Sequence, residues 1–131
     1  MKLLNTLTFI LIIISSCNDD NQDCAENCIN GEWVWEYSTG GFQGHTITPE
    51  TEDMTWKLVI NDFNYKSYIN DSLVIETGYE FGIDSTIQMD TDYYRFIQLQ
   101  NGTRYGITIK AEALELYEEC SDCYNHLLNR Q

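Results

Sequence analysis

From residue 31 to the end of the chain, apolar and polar residues alternate with a period of two, and Gly, Asn or Asp interrupts the alternation at short intervals. Period two is the signature of a strand, because successive side chains on a pleated backbone point to opposite faces. Eight such runs can be read, at 32–38, 54–60, 63–69, 73–81, 93–99, 104–109, 114–118 and 123–130. Asn61-Asp62 and Asn70-Asp71-Ser72 suit short hairpins, and Asn101-Gly102 is a type I′ signal. No segment beyond the N-terminal run keeps a helical repeat. Consecutive short strands joined by tight turns predict an all-β domain, either an up-and-down barrel or a sandwich.

Strand parity then assigns an interior. Trp33, Trp35 and Tyr37 share a face, as do Trp56, Leu58 and Ile60. A two-residue turn at 61–62 carries that face to Phe63, Tyr65, Ser67 and Ile69, and the next strand adds Leu73, Ile75, Thr77, Tyr79 and Phe81. Pairing Gln98 with Tyr105 across Asn101-Gly102 places Tyr94, Phe96, Tyr105, Ile107 and Ile109 inside, with Ile97 and Leu99 outside. Leu114, Leu116, Tyr124, His126, Leu128 and Arg130 complete the set. Residues 39–53 form a long connection rich in Gly and containing the chain's Pro. Loops of that length often cap a binding site. The stretch 84–92 reads as a polar loop.

The N-terminus has a different character. Lys2 precedes an apolar run that ends at Ile14-Ser15-Ser16-Cys17, and polar Asn18-Asp19-Asp20-Asn21 follows at once. One positive charge, a short apolar stretch and small residues before a cut site form an export signal, too short to span a bilayer. Ile14-Ser15-Ser16-Cys17 resembles a bacterial lipobox, which implies cleavage before Cys17 and a diacylglycerol on its thiol. Two acyl chains suffice for stable anchoring. The expected organisation is a signal peptide over 1–16, a lipidated polar tether over 17–30 and a barrel domain over 31–131. The acidic residues behind Cys17 resemble surface-export signals of Bacteroidota lipoproteins, which implies the outer membrane and an outward-facing domain.

Composition narrows the partners. The chain carries 21 Asp+Glu against 7 Lys+Arg, a formal charge of −14 over 131 residues. Nucleic acid selects the opposite balance, and anionic headgroups repel this one. Membrane contact is therefore expected through the lipid anchor alone.

Gly31-Glu32-Trp33 at the first strand, the long first loop and Arg130 on the last strand resemble the lipocalin and calycin pattern. Trp33-Val34-Trp35, Gly40-Gly41-Phe42-Gln43-Gly44, Thr48-Pro49-Glu50-Thr51 and Asp122-Cys123-Tyr124-Asn125-His126 are similar to small lipocalin-like lipoproteins of Bacteroidota. The resemblance implies an eight-stranded antiparallel up-and-down barrel closed at one end by Gly31, Trp33 and Arg130. It implies fold and location rather than a substrate. Independently of the family, pairing of the first and last strands puts residue 31 opposite residue 130, and a guanidinium over an indole gains about 0.5–2 kcal/mol.

With Cys17 lipidated, Cys24, Cys28, Cys120 and Cys123 remain. An even count in an exported chain reads first as disulfides. Cys24 and Cys28 precede the first strand, whereas Cys120 and Cys123 begin the last, about 23 Å away along a strand rising about 3.3 Å per residue. Local pairs, Cys24–Cys28 and Cys120–Cys123, are favoured, ahead of cross-pairing and of a four-Cys zinc site. No nucleophile elbow, zinc-protease motif or phosphate loop is present, so neither an enzyme nor a cofactor nor a metal is expected. The acidic clusters at 50–53 and 90–92 read as solvated loops.

Two functional readings remain. One is a binder of a small apolar or neutral ligand in the barrel mouth, lined by Trp35, Tyr37, Tyr65, Tyr79, Tyr105, Tyr124 and His126, with Phe42 as the contact of a mobile lid. The other is a filled barrel that recognises a protein or glycan with its loops, without catalysis.

Overall fold

The computed structural model describes residues 26–89 and 92–131. Cys17, Cys24 and the apolar N-terminal run lie outside the described residues, as do residues 90 and 91 of one acidic cluster. The strands are β1 (Gly31–Gly40), β2 (His45–Ile47), β3 (Trp56–Ile60), β4 (Asn64–Ile69), β5 (Ser72–Met89), β6 (Asp92–Leu99), β7 (Arg104–Lys110), β8 (Ala113–Glu118) and β9 (Tyr124–Arg130). β1 pairs with β3 on one side and β9 on the other, so eight strands close into an antiparallel barrel. Closure removes the open edges that an isolated sheet of this size would expose.

The 39–53 connection is built differently from an open loop. β1 runs on to Gly40, a turn over 41–44 follows, and β2 folds back to pair Ser38 with Ile47 and Gly40 with His45. A single helical turn, α1 (Pro49–Glu52), comes next. Thr48 caps it: its hydroxyl accepts from the Thr51 amide while the Thr51 hydroxyl accepts from the Thr48 amide. Ile47 and Met54 pin this arm against the core. The stretch 84–92 also departs from expectation, because β5 and β6 extend through most of it as a projecting hairpin.

Ile29, Trp33, Trp35, Leu58, Ile60, Tyr65, Ile97, Leu99, Ile107, Leu114, Leu116 and Leu128 form one continuous buried cluster. Four departures from simple parity shape it. The first is a bulge in β1, where Trp35 faces Leu128 and Tyr37 already faces Leu127. The extra residue turns Tyr37 outward and Ser38 inward. A second bulge pairs Ser67 with Ile75 but Tyr68 with Leu73, so Leu73 faces solvent instead of the core. Thirdly, Ile60 pairs with Tyr65 across a turn held by the Asn61 side chain, whose Oδ1 accepts from the amides of Phe63 and Asn64. Phe63 therefore sits in the turn, 79 % exposed.

The fourth departure moves a whole strand. The Leu99 amide donates to the Thr103 carbonyl and the Gly102 amide donates back to Leu99. The loop is thus three residues long, with Gly102 at positive φ, rather than a two-residue type I′ turn. An odd loop shifts the register by one: Ile97, not Gln98, is bonded level with Tyr105. Ile97 and Leu99 are buried, and Tyr94 and Phe96 lie on the outer face. The outer rings are still sheltered, because they lie over glycines of neighbouring strands. A Cβ on Gly82 would meet the Phe96 ring at 2.3 Å, and one on Gly106 would meet the Tyr94 hydroxyl at 2.2 Å. Arg104 covers this pavement, 3.7 Å above Phe96, and pairs with Glu119 at 2.9 Å. Tyr94 donates to the same carboxylate; burial first and then Glu119 push its phenol up to about 12.

Candidate functional site

One end of the barrel is plugged. The chain enters through a 3₁₀ turn, Glu26–Ile29, whose Ile29 side chain is fully buried. Part of the expected tether is therefore built into the floor. The Trp33 indole N–H donates to the Ile29 carbonyl at 2.8 Å, and the Arg130 guanidinium lies 4.2 Å above the Trp33 ring. Two Arg130 nitrogens donate to the carbonyls of Asn30 and Cys28, each at 2.7 Å. Gly31 makes room for this arrangement: it sits at φ +146°, and a Cβ there would meet Arg130 at 2.6 Å. The register puts Trp33, not Gly31, directly opposite Arg130.

The opposite end gathers the turn at 41–44, the hairpins at 70–71 and 99–103, and the β8–β9 connection. Cys120 and Cys123 are joined in that connection, with Cα atoms 5.3 Å apart. Their pairing removes them from any four-Cys zinc site. Cys28 has no disulfide partner among the described residues, and the Cys24–Cys28 pair lies outside them. Gly40 packs directly on the bridge: at φ +151°, a Cβ would meet the Cys123 carbonyl at 2.2 Å.

Inside this mouth runs a chain of hydrogen bonds. The Trp35 indole N–H donates to Ser38 Oγ at 2.7 Å, and Ser38 Oγ lies 2.6 Å from His126 Nδ1. His126 Nε2 lies 3.2 Å from Glu118 Oε1, and Glu118 Oε2 accepts from the Tyr124 amide. An indole N–H can only donate, so Ser38 Oγ accepts from it and keeps a proton and a second lone pair to share with Nδ1. With the proton of a neutral imidazole on Nε2, Ser38 donates to Nδ1 and Nε2 faces Glu118 as a donor.

Serine, imidazole and carboxylate in line are the parts of an activated nucleophile. Here Ser38 is 1 % exposed and its oxygen already accepts from Trp35, so the hydroxyl serves to orient the ring. Aromatic groups surround the imidazole. Trp56 meets it edge-on with centroids 5.0 Å apart, Tyr124 stacks at 6.4 Å, and the Trp56 N–H donates to Ser67 Oγ at 2.8 Å. Tyr105 is paired directly with Glu118 across the β7–β8 ladder. Burial first and then the Glu118 charge raise its phenol above the ordinary tyrosine value.

The residues expected to line a ligand site are thus divided. Trp35, Tyr124, His126 and Tyr105 are brought together at the mouth, with Tyr79 half-buried on β5. Tyr65 pairs with Ile60 near the floor and is fully buried. Tyr37 is turned to the outer face, where it borders a groove of about 600 Å³ beneath the β2–α1 arm. Phe42 stands 89 % exposed at the tip of the turn and covers nothing. Sequence reasoning passed over Ser38 and Glu118. Ser38 was hidden by the bulge, whereas Glu118 had a signal, being two residues beyond Leu116 on the inward parity of β8.

Comparison of the chain with family models, with curated proteins and with solved structures finds no match.

Proposed function

We propose that this chain is a lipocalin-like lipoprotein of the bacterial cell envelope, anchored through Cys17 to the outer membrane, and that it binds a small molecule without catalysis in the mouth opposite the Arg130 plug. The asymmetry of the barrel carries the reading. The floor is sealed by apolar packing and backbone hydrogen bonds, while the mouth holds half-buried aromatic rings around a polar chain. Concave sites with apolar walls and a few fixed polar groups are where small ligands bind.

The test uses the reporters already in place. Trp35 and Trp56 lie at the mouth and Trp33 at the floor, so a ligand in the mouth should change the fluorescence of the full-length protein, and Trp56→Phe should remove much of the change. A panel of small apolar and neutral compounds that leaves the emission untouched would overturn the reading. Anchoring is tested separately: Cys17→Ser should release the protein from membranes or leave it unprocessed.

One observation favours a second reading, a non-catalytic module that recognises a protein or glycan. Phe42 is presented to solvent, and the outer face carries a groove bordered by Val34, Tyr37, Thr46 and Pro49. If no small ligand binds, this surface is the next place to look.

A further inference from the structure

We infer that the ligand of the mouth is an organic cation, a small amine or quaternary ammonium, held between the Glu118 carboxylate and the rings of Tyr105, Tyr124 and Trp56. The inference rests on the mouth reading proposed above and names its ligand class, replacing the apolar or neutral ligand that the aromatic content alone suggests.

Three observations carry it. The first is the place of Glu118 at the end of the hydrogen-bond chain. Its ring partner is His126 Nε2, and the other nitrogen of that ring is taken up by Ser38. No lysine or arginine pairs with Glu118 among the ion pairs of the described residues; its neighbour Glu119, on the outer face, takes Arg104 instead.

The second observation is that Glu118 retains acceptor capacity and access. Each oxygen accepts one bond of 3.2 Å, from His126 or from the Tyr124 amide, so each has a lone pair left. The carboxylate side chain is 34 % exposed, whereas the imidazole behind it is 13 % exposed. The carboxylate is thus the more accessible of the two groups.

The third is the aromatic surround. Tyr105 lies directly across the ladder from Glu118, Tyr124 stacks on the imidazole that Glu118 bonds, and Trp56 meets the same imidazole edge-on. Ring faces attract cations electrostatically, and a carboxylate beside them adds to the attraction in a partly desolvated site. The formal charge of −14 raises the local concentration of cations and steers them inward. A neutral apolar ligand would gain nothing from the carboxylate and would have to desolvate it.

The experiment titrates full-length protein in non-ionic detergent with two matched pairs: choline against 3,3-dimethylbutan-1-ol, and hexylamine against hexan-1-ol. Tryptophan emission and calorimetry serve as readouts. Each cation should bind at least tenfold more tightly than its neutral partner. Glu118→Gln should remove that preference while leaving alcohol binding within about twofold. Tyr105→Leu should weaken the cations more than the alcohols. Glu112→Gln, the same charge change at a 78 % exposed side chain beside Arg130, should leave the preference intact. Equal binding of cation and alcohol, tighter binding of the alcohols, or a preference that survives Glu118→Gln would overturn the inference and leave the mouth reading standing. If neither pair binds while the apolar panel does, the cation inference alone fails. If nothing in either set binds, both fail.

Discussion

At the Trp33 end of the barrel, an indole lies under a guanidinium whose donors finish on the carbonyls of Asn30 and Cys28. At the Trp35 end, an indole feeds its proton into a serine, and the chain finishes on the Glu118 carboxylate. Both tryptophans sit on β1, two residues apart and almost fully buried. The difference lies in what terminates each network. The floor network ends on backbone that the fold itself must satisfy, so its product is stability. The mouth network ends on a partly exposed carboxylate, the group to which the proposed ligand would bind.

The largest expected effect tests the floor. Trp33→Ala removes a fully buried ring from the core and should cost about 3–5 kcal/mol in urea unfolding. Arg130→Ala should cost less, and the double-mutant cycle should show a coupling of about 0.5–2 kcal/mol, because stacking and the shared approach to the 28–30 segment are lost together. Additive losses would break the comparison by showing that the Trp33 ring and the Arg130 guanidinium do not act as one floor network.

At the mouth, Ser38→Ala leaves the Trp35 N–H and His126 Nδ1 without their partner. An unsatisfied buried group costs about 1–3 kcal/mol. The loss should therefore be smaller than at Trp33, and it should be accompanied by altered ligand preference, which no floor substitution should produce.

Alkaline pH separates the ends again. Burial pushes the Tyr65 phenol far above its ordinary value, with Tyr105 a secondary cause, whereas Tyr105 at the mouth is raised by burial and by Glu118. The unfolded chain ionises its tyrosines near pH 10, so the stabilisation from a raised phenol is complete below about pH 10 and is lost as pH climbs towards the folded value. Urea melts between about pH 9 and 11.5 should show stability falling by at most about 1.4 kcal/mol per pH unit for each such tyrosine. Tyr65→Phe should flatten that slope. An unchanged slope would mean that Tyr65 is not the buried phenol that the floor packing requires.

Much of this was legible in the amino-acid sequence. The alternation gave the strands and the all-β class, the resemblance to the lipocalin pattern implied the closed barrel rather than a sandwich, and the placing of the two cysteine pairs at opposite ends favoured the local disulfide now seen at the mouth. What was not legible came from single extra residues. Parity counts by twos, so the bulge after Trp35 exchanged Tyr37 for Ser38, and the bulge near Tyr68 turned Leu73 out. The three-residue loop at Gly102 reversed the faces of β6. Tyr94 and Phe96 are apolar enough for a core, and only Gly82 and Gly106 on the adjacent strands reveal why they can lie outside. The mouth chemistry was obscured by the same arithmetic, since the bulge is what carries Ser38 within reach of His126.

The smallest expected effect concerns Phe42, and it sharpens the comparison from the side of motion. A ring at the tip of a Gly-rich turn suggests a lid, yet the structure leaves Phe42 89 % exposed, while Gly41 beside it lies over the Tyr124 ring, its missing Cβ 3.2 Å from the hydroxyl. The turn itself is tied down by a hydrogen bond from the Gly44 amide to the Gly41 carbonyl and by packing of Gly40 on the disulfide loop. Removing an exposed ring from such a turn should change stability by no more than about 0.5 kcal/mol. The informative measurement is the pair of numbers: unfolding free energy and ligand affinity for Phe42→Ala. A weakened affinity at unchanged stability would mean that the ring closes over bound ligand, so that the mouth is completed only on binding. Unchanged affinity would assign recognition wholly to the Glu118 side, with the turn acting as a fixed rim. A stability loss as large as that at Ser38 would contradict the exposed placement of the ring and, with it, the distinction between a sealed floor and an open mouth.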